Sequence, residues 1–328
     1  MSIRVTKTTA LLLVILLVSG TFLSAAAGEA QSPAGPEYSY RVEADGTAVI
    51  TAYLGQAETL TVPASLDGHQ VRAIDEIAFA LCESLVSVTL PEGLISIGGN
   101  AFYGCSNLSD ITLPEGLQSI GDFAFPDCKS LKNITLPLSL VDIGDNPFAM
   151  TAVNINLSPD HPRFEIIDGL LVDKTDKRLI TYPYASEAVE YTVPDGVLVI
   201  GDWAFSSCEK LTALTLPEGL TEIRNSAFNA CIGLTGITLQ DGLLNIGSRA
   251  FAGCAGLTSL TLPDGLNSIG EEAFYGCASL TSLNVPASVT DIGPHAFTEC
   301  PNLTLTLQPG SFADTWAHEN DAPHMYGE

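Results

Sequence analysis

The sequence predicts a β-rich solenoid, a right-handed coil of about nine 23-residue repeats with short parallel strands. Cysteines recur 23 residues apart, with one longer step between Cys128 and Cys208. Around them recurs the pattern LxxLxLPxGLxxIGxxAFxxC, which is complete at 257–277. Hydrophobic residues form 46% of the chain and charged residues 16%, a balance that supplies a core and excludes a disordered chain.

Each position of the repeat has a structural role. In the run 257–262, the last residues alternate between inward and outward directions, as a short strand requires. Pro263 ends this strand because it cannot donate a hydrogen bond, and Gly265 supplies a tight turn. Ile269 belongs to a second extended run, and Phe274 fills the space between stacked units. The spacing of the leucines is that of a leucine-rich repeat, whose stacked units form a continuous core.

The cysteines occupy one equivalent position in the repeats. Their side chains should therefore all point into the core, and parallel side chains cannot form a disulfide bond. A buried thiol behaves as a small hydrophobic group. We expect a structural ladder of reduced thiols, without a role as metal ligands or nucleophiles. Its members are Cys82, Cys105, Cys128, Cys208, Cys231, Cys254, Cys277 and Cys300.

The first residues have the pattern of a secretory signal peptide. Arg4 and Lys7 precede the apolar run 10–18, and small residues at Ala25 and Ala27 fit a cleavage site. We therefore predict a signal peptide at 1–27, and a chain that is secreted or held at the extracellular surface. No later apolar run is long enough to span a membrane, so we do not expect an integral membrane protein after cleavage.

The repeat pattern is interrupted once and bounded by atypical ends. Two extended runs flanking Asp45-Gly46 predict an N-terminal hairpin cap. Residues 169–172 and 179–182 predict an inserted β-hairpin. Ser311 can cap a helix to about Asn320, with Phe312 and Trp316 closing the last coil. The expected segments are an N-terminal linker and cap at 28–59, repeats at 60–157, the inserted hairpin at 158–185, repeats at 186–307 and a C-terminal helical cap at 308–328.

Charge and motifs exclude several function classes. A net charge of −25 repels phosphate backbones, so nucleic acid is not an expected partner. The sequence contains no HExxH, GxSxG or P-loop motif. We expect no enzymatic activity, no cofactor and no metal site. The alternatives to a binding protein are a structural spacer without a specific ligand and, less favoured, a cation-binding or hydrolytic module.

The 23-residue unit resembles the BspA-type leucine-rich repeats of bacterial surface antigens. The resemblance covers about 38–324 and includes the segments IDGLLVDKTDKRLITYP and GSFADTWAHENDAP. It implies an exported, adhesin-like protein that binds a host matrix protein or a microbial surface protein. It implies no catalytic residues, and it does not identify the ligand.

Two surfaces are candidates for the contact with that protein. Basic and aromatic side chains gather in the insertion, which is free of the constraints of the repeat. These residues are Arg163, Phe164, Lys174, Lys177, Arg178, Tyr182 and Tyr184. We expect substitution of the four basic residues to leave the melting temperature nearly unchanged, because exposed charges contribute little to stability.

The alternative surface is an acidic edge that follows the end of the first strand in each repeat. Carboxylates stacked about 5 Å apart repel one another by roughly 0.8 kcal/mol per pair even in water. They therefore either spread apart into solvent or attract cations or a basic partner. The residues are Glu92, Glu115, Asp195, Glu218, Asp241 and Asp264.

Overall fold

The computed structural model describes residues 37–182, 184 and 188–327. The chain forms a β-solenoid of about 12 turns, which confirms the predicted fold class. The turn count exceeds the nine predicted repeats because the caps and the insertion continue the coil. The predicted signal peptide at 1–27 lies outside the described residues.

The described part of the chain contains short strands and one helix. Up to the insertion the strands are β1 (Tyr38–Val42), β2 (Ala48–Tyr53), β3 (Thr59–Thr61), β4 (Ser65–Leu66), β5 (His69–Ile74), β6 (Ser87–Thr89), β7 (Ser96–Ile97), β8 (Asp110–Thr112), β9 (Ser119–Ile120), β10 (Asn133–Leu136), β11 (Asp142–Ile143) and β12 (Asn154–Leu157). From the insertion onwards they are β13 (Phe164–Ile167), β14 (Leu170–Asp173), β15 (Arg178–Thr181), β16 (Glu190–Thr192), β17 (Val199–Ile200), β18 (Ala213–Thr215), β19 (Glu222–Ile223), β20 (Gly236–Thr238), β21 (Asn245–Ile246), β22 (Ser268–Ile269), β23 (Ser282–Asn284), β24 (Asp291–Ile292), β25 (Thr304–Leu307) and β26 (His324–Tyr326). The helix α1 spans Phe312–Glu319 and lies between β25 and β26.

The repeats stack in register, so equivalent residues pair across neighbouring coils. On the first strand face, β18 and β20 are parallel, with Leu214 opposite Ile237. On the second face, β19 and β21 are parallel, with Ile223 opposite Ile246. The side chains of all four residues are buried. A fixed period of 23 residues thus places the same apolar side chain at the same depth in each coil.

Stacked aromatic rings line the side where each coil closes. The Phe228 and Phe251 ring centroids lie 5.1 Å apart, and those of Phe251 and Phe274 lie 5.4 Å apart. Main-chain hydrogen bonds hold this side at the same spacing, since the Phe251 amide donates to the Ala273 carbonyl at 2.8 Å. The ladder begins on Tyr53 of β2, which stacks on Phe79, and ends on Trp316 of α1, which meets Phe297 edge to face.

The cysteines are all thiols, and each of them but Cys300 is buried. The Cys254 thiol donates to the Phe228 carbonyl at 3.1 Å, and the Cys277 thiol makes the same contact to Phe251 at 3.2 Å. In the coil that lacks a cysteine, Thr151 takes the position and donates to the Phe125 carbonyl at 2.7 Å. The position therefore holds a small side chain that donates a hydrogen bond to the preceding coil.

The reactivity of the thiols in a titration tests how deeply each cysteine is buried. Burial raises the pKa of Cys128 to about 12, so its reactive thiolate is scarce at neutral pH. Cys300 is partly exposed and lines a cavity of about 400 Å³ beneath the C-terminal cap. We expect Cys300 to react first in the native protein, and all eight thiols to react after denaturation without reductant. Recovery of half that number or fewer would show that disulfides form.

The insertion is a buried partition between two hydrophobic cores. We call β13, β14 and β15 the partition; β14 pairs antiparallel with both neighbours. Leu170 and Val172 of β14 face the C-terminal core, whereas Leu171 between them faces the N-terminal core. Strand β15 then pairs parallel with β17 and restarts the stack. The predicted hairpin is present, but it lies inside the coil and is not a projecting arm.

The two caps close the ends of the coil. At the N-terminus, β1 and β2 form the predicted antiparallel hairpin, and β2 pairs parallel with β5. At the C-terminus, Ser311 caps α1 by accepting from the Asp314 amide, and Ala313 and Ala317 are buried. Phe312 is 44% exposed, so its predicted role in closing the coil is wrong. The alanine face of α1, together with Trp316, closes the coil instead.

Candidate functional site

The six acidic residues predicted at the strand ends form a line of exposed carboxylates. We call them the acidic row; each is exposed, and each lies at the second position of a β-turn. In the Glu218 turn the Leu220 amide donates to the Pro217 carbonyl at 3.3 Å, and in the Asp264 turn Leu266 donates to Pro263 at 3.0 Å. A proline precedes the acidic residue in five of the six turns, and Gln240 precedes Asp241. Each of these turns holds one exposed carboxylate at the edge of its coil.

The acidic row has two parts. Glu92 and Glu115 belong to the coils before the partition, and Leu138, which is 48% exposed, replaces the acid in the next coil. After the partition, Asp195, Glu218, Asp241 and Asp264 follow without a break. No member of the row forms a salt bridge to another described residue. The longer part is therefore an uncompensated line of negative charge.

The basic residues predicted as a contact surface are engaged with acidic and carbonyl groups of the protein. Arg163 contacts the Asp173 carboxylate at 3.0 Å, and Asp173 is 1% exposed. Burial acts to raise the pKa of Asp173, but hydrogen bonds from Thr175 and Arg163 keep it below its ordinary value. Lys177 contacts Glu165 at 2.8 Å. The positive charge at the partition is largely compensated.

Lys174 and Arg178 are held in the same way. The Lys174 ammonium donates to the His161 carbonyl at 2.6 Å. Arg178 is 12% exposed and lies 3.5 Å from Asp145 and 3.6 Å from Asp176. Substitution of Arg163 should therefore lower stability, because it leaves the buried Asp173 carboxylate without its partner. Substitution of Arg178 removes a largely buried guanidinium that contacts the partly exposed Asp145 and Asp176. The expectation of an unchanged melting temperature does not fit this geometry.

The aromatic residues of this candidate surface lie inside the protein. Phe164 packs in the N-terminal core and Tyr182 in the C-terminal core, and both are buried. Tyr184 donates its hydroxyl to the Ser206 carbonyl at 2.6 Å, and the Asn146 amide donates to the same hydroxyl at 3.0 Å. The structure thus places these rings in the junction between the two repeat blocks, with Phe164 and Tyr182 buried and Tyr184 partly buried. Arg163 and Lys177 of the set remain at the surface, 38% and 41% exposed.

A buried histidine, which the sequence did not mark, fixes the start of the partition. The Nε2 atom of His161 lies 3.1 Å from the Pro137 carbonyl and must donate to it. Its Nδ1 atom accepts from the amides of Arg163 and Phe164 at 3.2 and 3.1 Å. A second ring proton would face these two donors, so the neutral ring is required. Burial and the nearby Lys174 lower the pKa of His161.

The free energy of unfolding should therefore decrease at acidic pH, because protonation of His161 disrupts these hydrogen bonds. Because its folded pKa lies below the ordinary value of 6.5, the stability it provides is present above that pH and is lost as the pH falls below it. We expect His161→Gln to flatten the decline in unfolding free energy below that pH, measured by urea denaturation. His295→Gln, at an exposed histidine, should retain the wild-type profile.

Asp145 changes the free energy of unfolding with pH in the opposite direction. Wild type and His161→Gln both contain Asp145, so its contribution cancels when the two are compared. Burial, with repulsion from Asp202 and Asp122, raises the pKa of Asp145 to about 6. Its contribution to stability is thus lost as the pH rises toward that value. An identical acid profile for wild type and His161→Gln would show that the histidine is not held in its neutral form.

One model of a known protein family matches most of the chain. The model of the BspA-type leucine-rich repeat region matches residues 57–161 and 182–304, with six copies. The chain belongs to this family. Among curated proteins, none matches the chain at a significant level.

Solved structures of bacterial repeat proteins are similar to this BspA-type chain. A leucine-rich cell surface protein from Faecalibacterium prausnitzii is 26% identical, with a TM-score of 0.53 over 89% of this chain and 97% of that one. The pneumococcal vaccine antigen PcpA is 19% identical, with a TM-score of 0.67 over 90% of this chain and 98% of that one, and it supports the fold.

Family and fold are typical of non-catalytic repeat proteins that act through interaction. Surface proteins of this family fit an extracellular or surface location. Within 37–182, 184 and 188–327, no helix has the length and apolar composition that crossing a bilayer requires.

Proposed function

We propose that this BspA-type protein is exported and binds another protein through the acidic row, without catalysing a reaction. The observation that carries the proposal is the line of exposed carboxylates, in four successive coils after the partition and two coils before it, with which no described basic side chain forms a salt bridge. A rigid solenoid holds these charges at a fixed spacing. The surface therefore suits an extended basic segment of a host matrix protein or a microbial surface protein.

Two further findings support this function over the alternatives. The family contains bacterial surface proteins, and the similar structure from Faecalibacterium prausnitzii is described as a cell surface protein. The net charge of −25 favours fast, salt-sensitive association with a basic partner. The basic residues of the partition remain a second candidate contact, although the carboxylates around them compensate most of their charge.

Binding of the purified protein to immobilised fibronectin, laminin and collagen, and to fixed bacterial cells, tests the proposal. We expect saturable binding to at least one of these surfaces. Its affinity should decrease as salt is added, because exposed charges are screened beyond about 8 Å at physiological ionic strength. Absence of binding to every surface would favour the structural spacer, and salt-insensitive binding would exclude the acidic row as the contact.

A further inference from the structure

The C-terminal cap brings two histidines and a carboxylate together. Asp314 and His318 are four residues apart on α1 and therefore lie on one face of the helix. His324 is the first residue of β26, which pairs with β25 beside the helix. One potential ligand atom of each of the three residues lies within 4.8 Å of the others. The ring centroids of His318 and His324 are 4.7 Å apart.

The hydrogen bonds of both histidines favour the form that binds a metal. Nδ1 of His318 lies 2.9 Å from the Asp314 carbonyl and 3.2 Å from one Asp314 carboxylate oxygen. Nδ1 of His324 lies 2.9 Å from the Ala322 carbonyl. A carbonyl oxygen can only accept, so Nδ1 carries the proton in both rings. Each Nε2 atom then keeps its lone pair. Donation of the second ring nitrogen to a carbonyl is the usual arrangement of histidines that bind metals.

The carboxylate is oriented as well. The Gly310 amide donates to one oxygen of Asp314 at 2.8 Å, and the Tyr326 hydroxyl donates to the other at 3.2 Å. The protein thus holds the Asp314 carboxylate in position to bind a cation. The negative net charge of the chain concentrates cations around the protein.

We propose that Asp314, His318 and His324 bind a divalent transition metal ion, Zn²⁺ by preference. Two imidazoles and one carboxylate suit zinc better than the oxygen-binding ions Ca²⁺ and Mg²⁺. Three protein ligands leave a fourth position for water or for a group of a partner. The ion links helix α1 to β26 and fastens the C-terminal cap, a role separate from the acidic row.

Zinc titration of the full chain tests the site. The protein is made without a histidine tag, stripped with EDTA and titrated calorimetrically with Zn²⁺ in excess Ca²⁺, which occupies carboxylates that lack histidine neighbours. We expect one Zn²⁺ per chain and a rise in melting temperature on binding. His324→Gln should weaken binding at least tenfold and remove the rise, in line with the loss of a ligand contact.

Three further variants make the result decisive. His318→Gln, at a side chain that is 60% exposed, should fold normally and reproduce the loss seen with His324→Gln. Tyr326→Phe removes the hydroxyl donor to Asp314 and should weaken binding less. His295→Gln, at an exposed histidine outside the group, should bind as wild type. Absence of a site in wild type, or equal binding by His318→Gln and His324→Gln, would overturn the proposal.

Discussion

Replacement of Phe251 by alanine is expected to lower the free energy of unfolding by about 3–5 kcal/mol. The ring is fully buried and stacks on Phe228 at 5.1 Å and on Phe274 at 5.4 Å. Its removal leaves a cavity between two coils, and the hydrogen bonds between neighbouring coils prevent the coils from closing it. Urea denaturation followed by circular dichroism measures the change.

A neighbouring aromatic residue provides the control for this substitution. Tyr275 lies in the next coil, beside Phe274, but is 40% exposed. Tyr275→Ala should therefore change the free energy of unfolding by no more than about 1 kcal/mol. Equal losses for Phe251→Ala and Tyr275→Ala would show that the aromatic ladder does not stabilise the stack.

Deletion of 311–328 is expected to make the protein aggregate. The truncation removes α1 and β26, and it exposes Phe297, Leu305 and the edge of β25. Terminal repeats need a cap, because an uncovered coil presents apolar side chains and unpaired strand groups to other chains. Size-exclusion chromatography with light scattering should find species much larger than the wild-type protein.

Two point variants separate the contribution of the buried face of α1 from that of its exposed face. Phe312→Ser changes an apolar side chain that is largely exposed, so the variant should keep the wild-type size and melting temperature. Ala317→Asp places a charge on the buried face and should reproduce the effect of the truncation. A truncated chain that stays the size of wild type and melts normally would contradict the capping role.

Periodicity was sufficient to predict the repeat core. A residue such as Phe274 recurs at 23-residue intervals together with its neighbours, and only stacked coils bury it repeatedly. The first coil shows a hairpin that the same reasoning missed. Strand β4 pairs with β5 around Asp67 and Gly68, both with positive φ. An Asp-Gly pair between two extended runs is a signal for this turn, so the information was present.

The candidate surface at the insertion could not be judged from residue type alone. Arg163 and Phe164 are adjacent, yet one remains at the surface and the other enters the core. The run 170–172 is apolar at every position, a pattern that fits a strand buried on both faces. Which charged residues have partners depends on distant contacts, such as that between Arg178 and Asp145. Those contacts follow from the packing of the partition.

One binding assay with three variants tests the claim that the acidic row is the contact surface. Glu218→Gln, Asp241→Asn and Asp264→Asn together neutralise three of the four carboxylates of the row after the partition. Glu271→Gln, Asp291→Asn and Glu299→Gln change the net charge equally at exposed sites elsewhere. Lys174→Ser with Lys177→Ser tests the partition surface without removing its buried ion pairs.

The affinity of each variant is measured on the immobilised protein to which the wild-type chain binds. We predict that neutralising the row weakens binding at least tenfold, or by about 1.4 kcal/mol, because the partner loses several close charge contacts. The charge-matched variant and the lysine variant should bind within about twofold of wild type. Equal weakening by the charge-matched variant, or loss of binding only in the lysine variant, would contradict the account.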